Sequence, residues 1–257
     1  MTQAHRDTVH SQFDPQANAY LQSAVHAAGP DLERAREIVG QAVSAASATL
    51  LDVGCGAGHL SFALAPAVLG VAAVDPSPGM LATVAQAAVD RGLANVTTCQ
   101  ASAEQLPFDD GTFDIVATRY SAHHWLDLPR ALKEMRRVAK PTGRVLIIDL
   151  EGDENALVDT HLQAIELLRD LSHIRDRSPS EWGRLLADAG FTGVGHESWP
   201  TRLMFEPWVT RMRTAPERVA MIRAIQQECP QEVRAALSIE EDGSFTARTG
   251  LWWGSAA

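Results

Sequence analysis

The stretch from Thr49 to Gly58, T-L-L-D-V-G-C-G-A-G, sets an apolar run against glycines at every second position, Gly54, Gly56 and Gly58. A short run of leucine and β-branched residues bounded by glycine is how a buried strand ends. Helical apolar spacing begins at once in His59 to Ala65, so the glycines form a strand-to-helix turn. Such a turn commits the chain to the βα units of an open, mostly parallel sheet, and its glycines let a ligand lie against bare backbone. A dinucleotide fingerprint needs Gly or Ala at position 59, where His59 stands, and Asp52 precedes the turn, where a carboxylate repels a pyrophosphate. The same charge suits a ligand that carries an ammonium and a sulfonium and no phosphate.

Val71 to Asp75 reads as a second buried strand ending in an acid, roughly 20 residues past the turn, the place from which such a sheet grips ribose hydroxyls. Asp75 is the ribose candidate, and the ligand with ribose, ammonium and sulfonium together is S-adenosylmethionine. Ser77-Pro78 then supplies a helix cap and first position, with Met80, Leu81, Val84, Ala85 and Ala88 at helical spacing up to Gly92.

Taken in order, these motifs and three later ones resemble the class I S-adenosylmethionine-dependent methyltransferases, on the branch that includes the ubiquinone/menaquinone-biosynthesis methyltransferases (the methyltransferase type 11 group). Ala101 to Phe108 is similar to that family's G-D-A-E-x-L-P-F segment, Phe113 to Val116 to its fourth strand, and Arg137 to Gly143 to its R-V-L-K-P-G-G turn. Phe13 to Tyr20, and Arg169 to Arg175 with Glu181-Trp182, are similar to a bacterial subgroup. The resemblance implies a Rossmann-like, doubly wound, seven-stranded, mostly parallel α/β sheet with an antiparallel last strand. It also implies a cofactor site of Tyr20, Asp52, Gly54, Cys55, Gly56, Asp75, Pro76, Met80, Ser102, Ala103, Glu104 and Arg119. Where many relatives carry an acid for the adenine amino group this chain has Ser102, so a hydroxyl or the Ala103 backbone must hold that edge.

At 257 residues the chain suits one α/β domain with additions: an N-terminal helical lid over residues 1–48 and a helical cap over residues 205–238 between the sixth and seventh strands. The formal net charge of -10 argues against nucleic acid, whose phosphates require clustered Lys and Arg, and favours a small-molecule acceptor. There is no apolar run for a membrane span and no leader-like apolar segment at the N-terminus, so a cytoplasmic location is expected. Cys55, Cys99 and Cys229 lack metal or disulfide spacing. Periodicity places strands near Val96 to Gln100, Phe113 to Thr118, Arg144 to Leu150, Phe191 to Trp199 and Ser244 to Trp253. Helices are expected from Asp127 to Ala139, Asn155 to Leu171 and Ser178 to Ala189, with Pro207, Pro216 and Pro230 opening three short ones in the cap.

The candidate chemistry follows the fourth strand, in Thr118 to Asp127, because loops at strand carboxyl ends line the crevice of an open parallel sheet. His123 or His124 there is placed to act as a general base. Metal binding by the pair is disfavoured, since consecutive side chains of an extended segment point apart and no third ligand is evident in the sequence, so no metal is expected. The remaining alternative is that one histidine bonds the neighbouring loop while the other shapes the pocket. His173 and Arg175 form a second group, either reaching the acceptor or finishing a helix. Methyl transfer from a sulfonium is an in-line displacement, for which alignment alone supplies on the order of 7 to 11 kcal/mol. A non-catalytic S-adenosylmethionine binder and an enzyme using a modified donor are the competing functions, with a nicotinamide oxidoreductase ranked last.

Overall fold

The computed structural model describes Thr8, Gln12, Phe13, Leu21 and residues 28–42 and 47–256. Helix α1 (Pro30–Ala42) leads to β1 (Thr49–Val53), α2 (His59–Leu64), β2 (Gly70–Asp75), α3 (Pro78–Asp90), β3 (Val96–Gln100) and β4 (Phe113–Arg119). A 3-10 turn at Ala122–His124 precedes α4 (Leu128–Val138), β5 (Ala139–Leu150), α5 (Ala156–Arg169), α6 (Pro179–Asp188) and β6 (Thr192–Leu203). Helices α7 (Phe205–Arg211), α8 (Pro216–Glu228) and α9 (Gln231–Ala236) then intervene before β7 (Phe245–Ser255).

The seven strands lie in the order β3-β2-β1-β4-β5-β7-β6. The pairs from β3 through β5 are parallel, and β7 runs antiparallel to both β5 and β6. This is the expected doubly wound sheet with an antiparallel last strand. Strand alternation sends Leu51, Val53, Val116, Val145 and Ile147 to one face, under α4 and α6, and Leu50, Ile115, Leu146 and Ile148 to the other, under α1 and α2. A third apolar cluster stands apart from these layers, joining Val158, Leu162 and Ile165 of α5 to Phe205, Trp208, Val209, Ile222 and Val233 of the inserted helices.

The element ends follow from local chemistry. Asp127, Asn155 and Ser178 each accept from a backbone N–H of the first turn, and Ser178 and Glu181 form a full capping box. Pro216 does open its helix, but α7 begins two residues before Pro207, which the first turn tolerates because its N–H would have no intrahelical partner, and Pro230 is the cap of α9 rather than its first residue.

Candidate active site

The turn after β1 holds Gly54 at φ 68, Gly56 at φ 50 and Gly58 at φ 88, all in the left-handed region that favours glycine. The three are glycine for different reasons. A Cβ on Gly54 would collide with Ser121 Oγ, and one on Gly58 would strike the Phe62 ring, whereas one on Gly56 would enter open space. Only at Gly56, then, does the bare backbone front a void.

That void is a cleft of about 790 Å³, solvent at its mouth included, at the carboxyl ends of β1, β2, β3 and β4. Of the sequence-derived cofactor residues it gathers Gly54, Cys55, Gly56, Asp75, Pro76, Met80, Ser102, Ala103 and Arg119, and it adds Phe13, Tyr120, Ser121, His124 and Trp125. The Asp75 carboxylate is fixed by two backbone donors, Gly56 N–H at 2.9 Å and Ser77 N–H at 2.9 Å. Cys55 is buried, and burial pushes its thiol well above the ordinary range. Arg119 reaches the cleft while its Nε donates to Asp31 of α1 at 2.6 Å and its guanidinium lies 4.6 Å from the Tyr120 ring centre.

Two expected residues are not on this wall. Asp52 is 0 % exposed, with Oδ2 accepting from Ser61 Oγ of α2 at 2.6 Å and no hydrogen bond to Oδ1 among the described residues. Period-two alternation puts it on the face that α2 covers, so the acid presented to the cleft is Asp75, and the argument from Asp52 against a pyrophosphate does not hold. Burial, opposed by the Ser61 bond, pushes the Asp52 carboxyl up to about 6. Glu104 is likewise buried away from the wall. Tyr20 and most of the expected lid lie outside the described residues; Phe13 is described and packs with Leu21 against Met80 and Ala57.

A second cleft of about 600 Å³ shares Phe13, Tyr120 and His124 with the first and is completed by His123, Leu150, Arg169, Asp170, Thr201, Leu203, Trp208 and Arg211. The Phe13 ring meets His124 edge-on, with centroids 5.1 Å apart. Tyr120 holds φ 49, unusual for a side chain of its size, secured by its N–H to the Ile148 carbonyl and by a 2.9 Å hydrogen bond between its hydroxyl and Thr249 Oγ1.

The three histidines differ. His123 Nδ1 lies 2.6 Å from Asp149 Oδ1, and the His123 N–H donates to Asp149 Oδ2. Burial alone would lower its pKa, but Asp149, by charge and hydrogen bond, outweighs this and holds it up at about 9. His124 Nδ1 lies 3.2 Å from the Ser172 carbonyl, which only accepts, so Nδ1 carries the proton and the lone pair is left on Nε2. Burial and then the positive His123 beside it push His124 down to about 4. His173 lines neither cleft; its Nε2 donates to Gln163 Oε1 at 2.8 Å, and burial with the two neighbouring imidazoles pushes its pKa far down. Arg175, expected beside it at the acceptor, instead pairs with Asp159 at 3.0 Å and Glu181 at 3.4 Å. The residues that reach the second cleft from this segment are Arg169 and Asp170, because α5 ends at Arg169 and the chain turns inward there.

Residues 51–147 match the methyltransferase domain family. YafE of Escherichia coli is 43% identical over 190 residues, covering 74% of this chain and 92% of YafE. The methyltransferase YcgJ of Bacillus subtilis is 32% identical over 232 residues, 90% of each chain. The crystal structure of YcgJ superposes with a TM-score of 0.82 over 88% of this chain and 97% of that one, at 30% identity. That of the Bacillus halodurans methyltransferase BH2331 gives a TM-score of 0.83 at 30% identity, covering 89% of this chain and 99% of its own. With the sheet order, the glycine turn and these relatives together, the chain belongs to the class I S-adenosylmethionine-dependent methyltransferases.

Proposed function

We propose that the first cleft holds S-adenosylmethionine, that the second holds a small-molecule acceptor, and that methyl transfer takes place where they join. The observation that carries this reading is the shared wall of Phe13, Tyr120 and His124, which sets two clefts side by side. The first chamber fits the cofactor: open space over Gly56, a carboxylate immobilised for ribose hydroxyls at Asp75, and apolar Met80 and Ala103 to flank a base. The Ser102 hydroxyl or the Ala103 backbone takes the adenine edge in place of an acid. When bound, S-adenosylmethionine supplies a methyl on a sulfonium, and its transfer leaves a neutral thioether.

The chain's part is to bind, align and handle one proton. Tyr120 and Phe13 border both chambers and confine donor and acceptor to one line. His124, with its lone pair on Nε2, takes the proton of an acceptor that arrives protonated on oxygen, nitrogen or carbon. Leu150, Leu203 and Trp208 make the second wall partly apolar, which supports a partly hydrophobic small acceptor; the net charge of -10 weighs against nucleic acid.

The test is transfer of radiolabelled methyl from S-adenosylmethionine into a fractionated cell extract, with His124→Ala beside the wild type. Label in the small-molecule fraction, lost in the variant while cofactor binding persists, supports the reading. Label confined to protein or nucleic acid, or no transfer at all by a protein that binds the cofactor, contradicts it.

A further inference from the structure

Behind the second cleft, three elements bring His123, Asp149 and Asp176 together so that one ring nitrogen and two carboxylate oxygens all lie within 4.8 Å of one another. His123 comes from the turn after β4, Asp149 from the end of β5, and Asp176 from the segment between α5 and α6. The acids around them are provided for. Asp149 takes the His123 ring, the His123 N–H and the Leu150 N–H. Asp159 has Arg175 and Gln163, Glu166 has Arg169 on one of its two oxygens, and Asp170 has the Ser172 N–H and hydroxyl.

Asp176 is the exception. It is 1 % exposed, and neither carboxylate oxygen has a hydrogen-bond partner among the described residues. Its backbone leaves it little room to turn away, since its N–H donates to Gln163 Oε1 at 3.1 Å and its carbonyl accepts from Gln163 Nε2 at 2.9 Å. An unpaired buried carboxylate is costly, and protonation would remove its charge but leave both oxygens without a hydrogen-bond partner among the described residues.

We propose that His123, Asp149 and Asp176 bind a divalent transition-metal ion. One imidazole and two carboxylates suit Mn²⁺, Fe²⁺ or Zn²⁺, and together with the neutral imidazole the two negative charges balance the ion. Metal–ligand bonds of about 2.1 Å set neighbouring ligand atoms roughly 3 to 3.5 Å apart, so on binding the separations of up to 4.8 Å close and the 2.6 Å His123–Asp149 contact opens, with the ion replacing the proton between them. Because His123 also lines the second cleft, the ion lies one side chain away from that chamber. The site goes beyond the proposed methyl transfer and stands without it.

The experiment is titration of chelator-stripped protein with Mn²⁺, free ion read by electron paramagnetic resonance and the bound ion by pulsed spectra, in the absence of any cofactor or acceptor. The expected result is a single saturable Mn²⁺ per chain carrying the nitrogen coupling of a coordinated imidazole, and a tenfold or greater loss of affinity in Asp176→Asn. No saturable binding, bound Mn²⁺ without nitrogen coupling, or equal affinity in Asp176→Asn overturns the proposal. Should that variant not fold, the wild-type nitrogen coupling decides by its presence or absence.

Discussion

Asp75 ends β2 and Asp52 lies one residue before the end of the adjacent β1, yet Asp52 is sealed under α2 while Asp75 lines a cleft. For Asp52 the folded-state pKa of about 6 lies above the ordinary 3.8, so the folded chain holds that proton more tightly than the unfolded one. Folding is therefore not penalised by this group below about pH 4, and stability is lost as pH rises from there through about 6, by roughly 3 kcal/mol at most. Asp52→Asn, which can still accept from Ser61, should remove that decline, and urea midpoints of both proteins on either side of the window measure it. The glycines give a second contrast. Gly54→Ala meets both a positive φ and the Ser121 side chain and should lower thermal stability by about 1 to 3 kcal/mol or more. Gly56→Ala has space for its methyl, so calorimetry should show lost affinity for S-adenosylhomocysteine out of proportion to its melting shift. At this scale Asp75 and the glycine turn were legible because they are contiguous motifs. That Asp149 rather than any other residue meets His123 was not, since the match depends on β4–β5 register and no spacing encodes it.

Elements are tied to the cleft by a few buried links. The Arg119–Asp31 pair fastens α1 to the end of β4, both side chains being nearly inaccessible. Asp31→Ala breaks a buried ion pair and should cost about 3 to 5 kcal/mol, while a paired replacement of Asp31 and Arg119 by Leu and Met should cost less. Denaturant unfolding of the three proteins checks the ordering. The segment that resembles an adenine contact is held in a comparable way: Glu134 accepts from the Leu106 N–H, and Arg137 donates to the Leu106 and Phe108 carbonyls. The sequence resemblance located this segment and Arg137 separately, and their contact emerges only when α4 packs alongside. Strand and helix order was readable throughout because period-two and helical patterns are local. The positions of His173 and Arg175 were not, because they depend on how the chain leaves α5 and on Gln163 and Asp159 capturing both side chains.

Across the whole molecule, the two clefts draw on different parts of the chain. The first draws on the ends of β1, β2, β3 and β4 and the turns after them, and the second adds β5, β6, α5 and the inserted α7. Trp208 illustrates the division, since it lines the second chamber and is also packed among Phe205, Phe245 and the α5 side chains. Trp208→Ala should therefore cost about 3 to 5 kcal/mol of stability, seen as a lower melting temperature, yet leave S-adenosylhomocysteine affinity of the folded protein unchanged. Among the described residues no helix is long and apolar enough to cross a membrane.

Whether the cleft around Gly56 and Asp75 holds the cofactor is decided by calorimetric titration of the wild type and Asp75→Ala with S-adenosylhomocysteine. Saturable binding at one site per chain is expected, weakened about tenfold to a hundredfold in the variant, as for hydrogen bonds to a charged group worth roughly 1.5 to 3 kcal/mol. Absence of binding by the wild type, or equal affinity in a folded Asp75→Ala protein, would contradict that assignment.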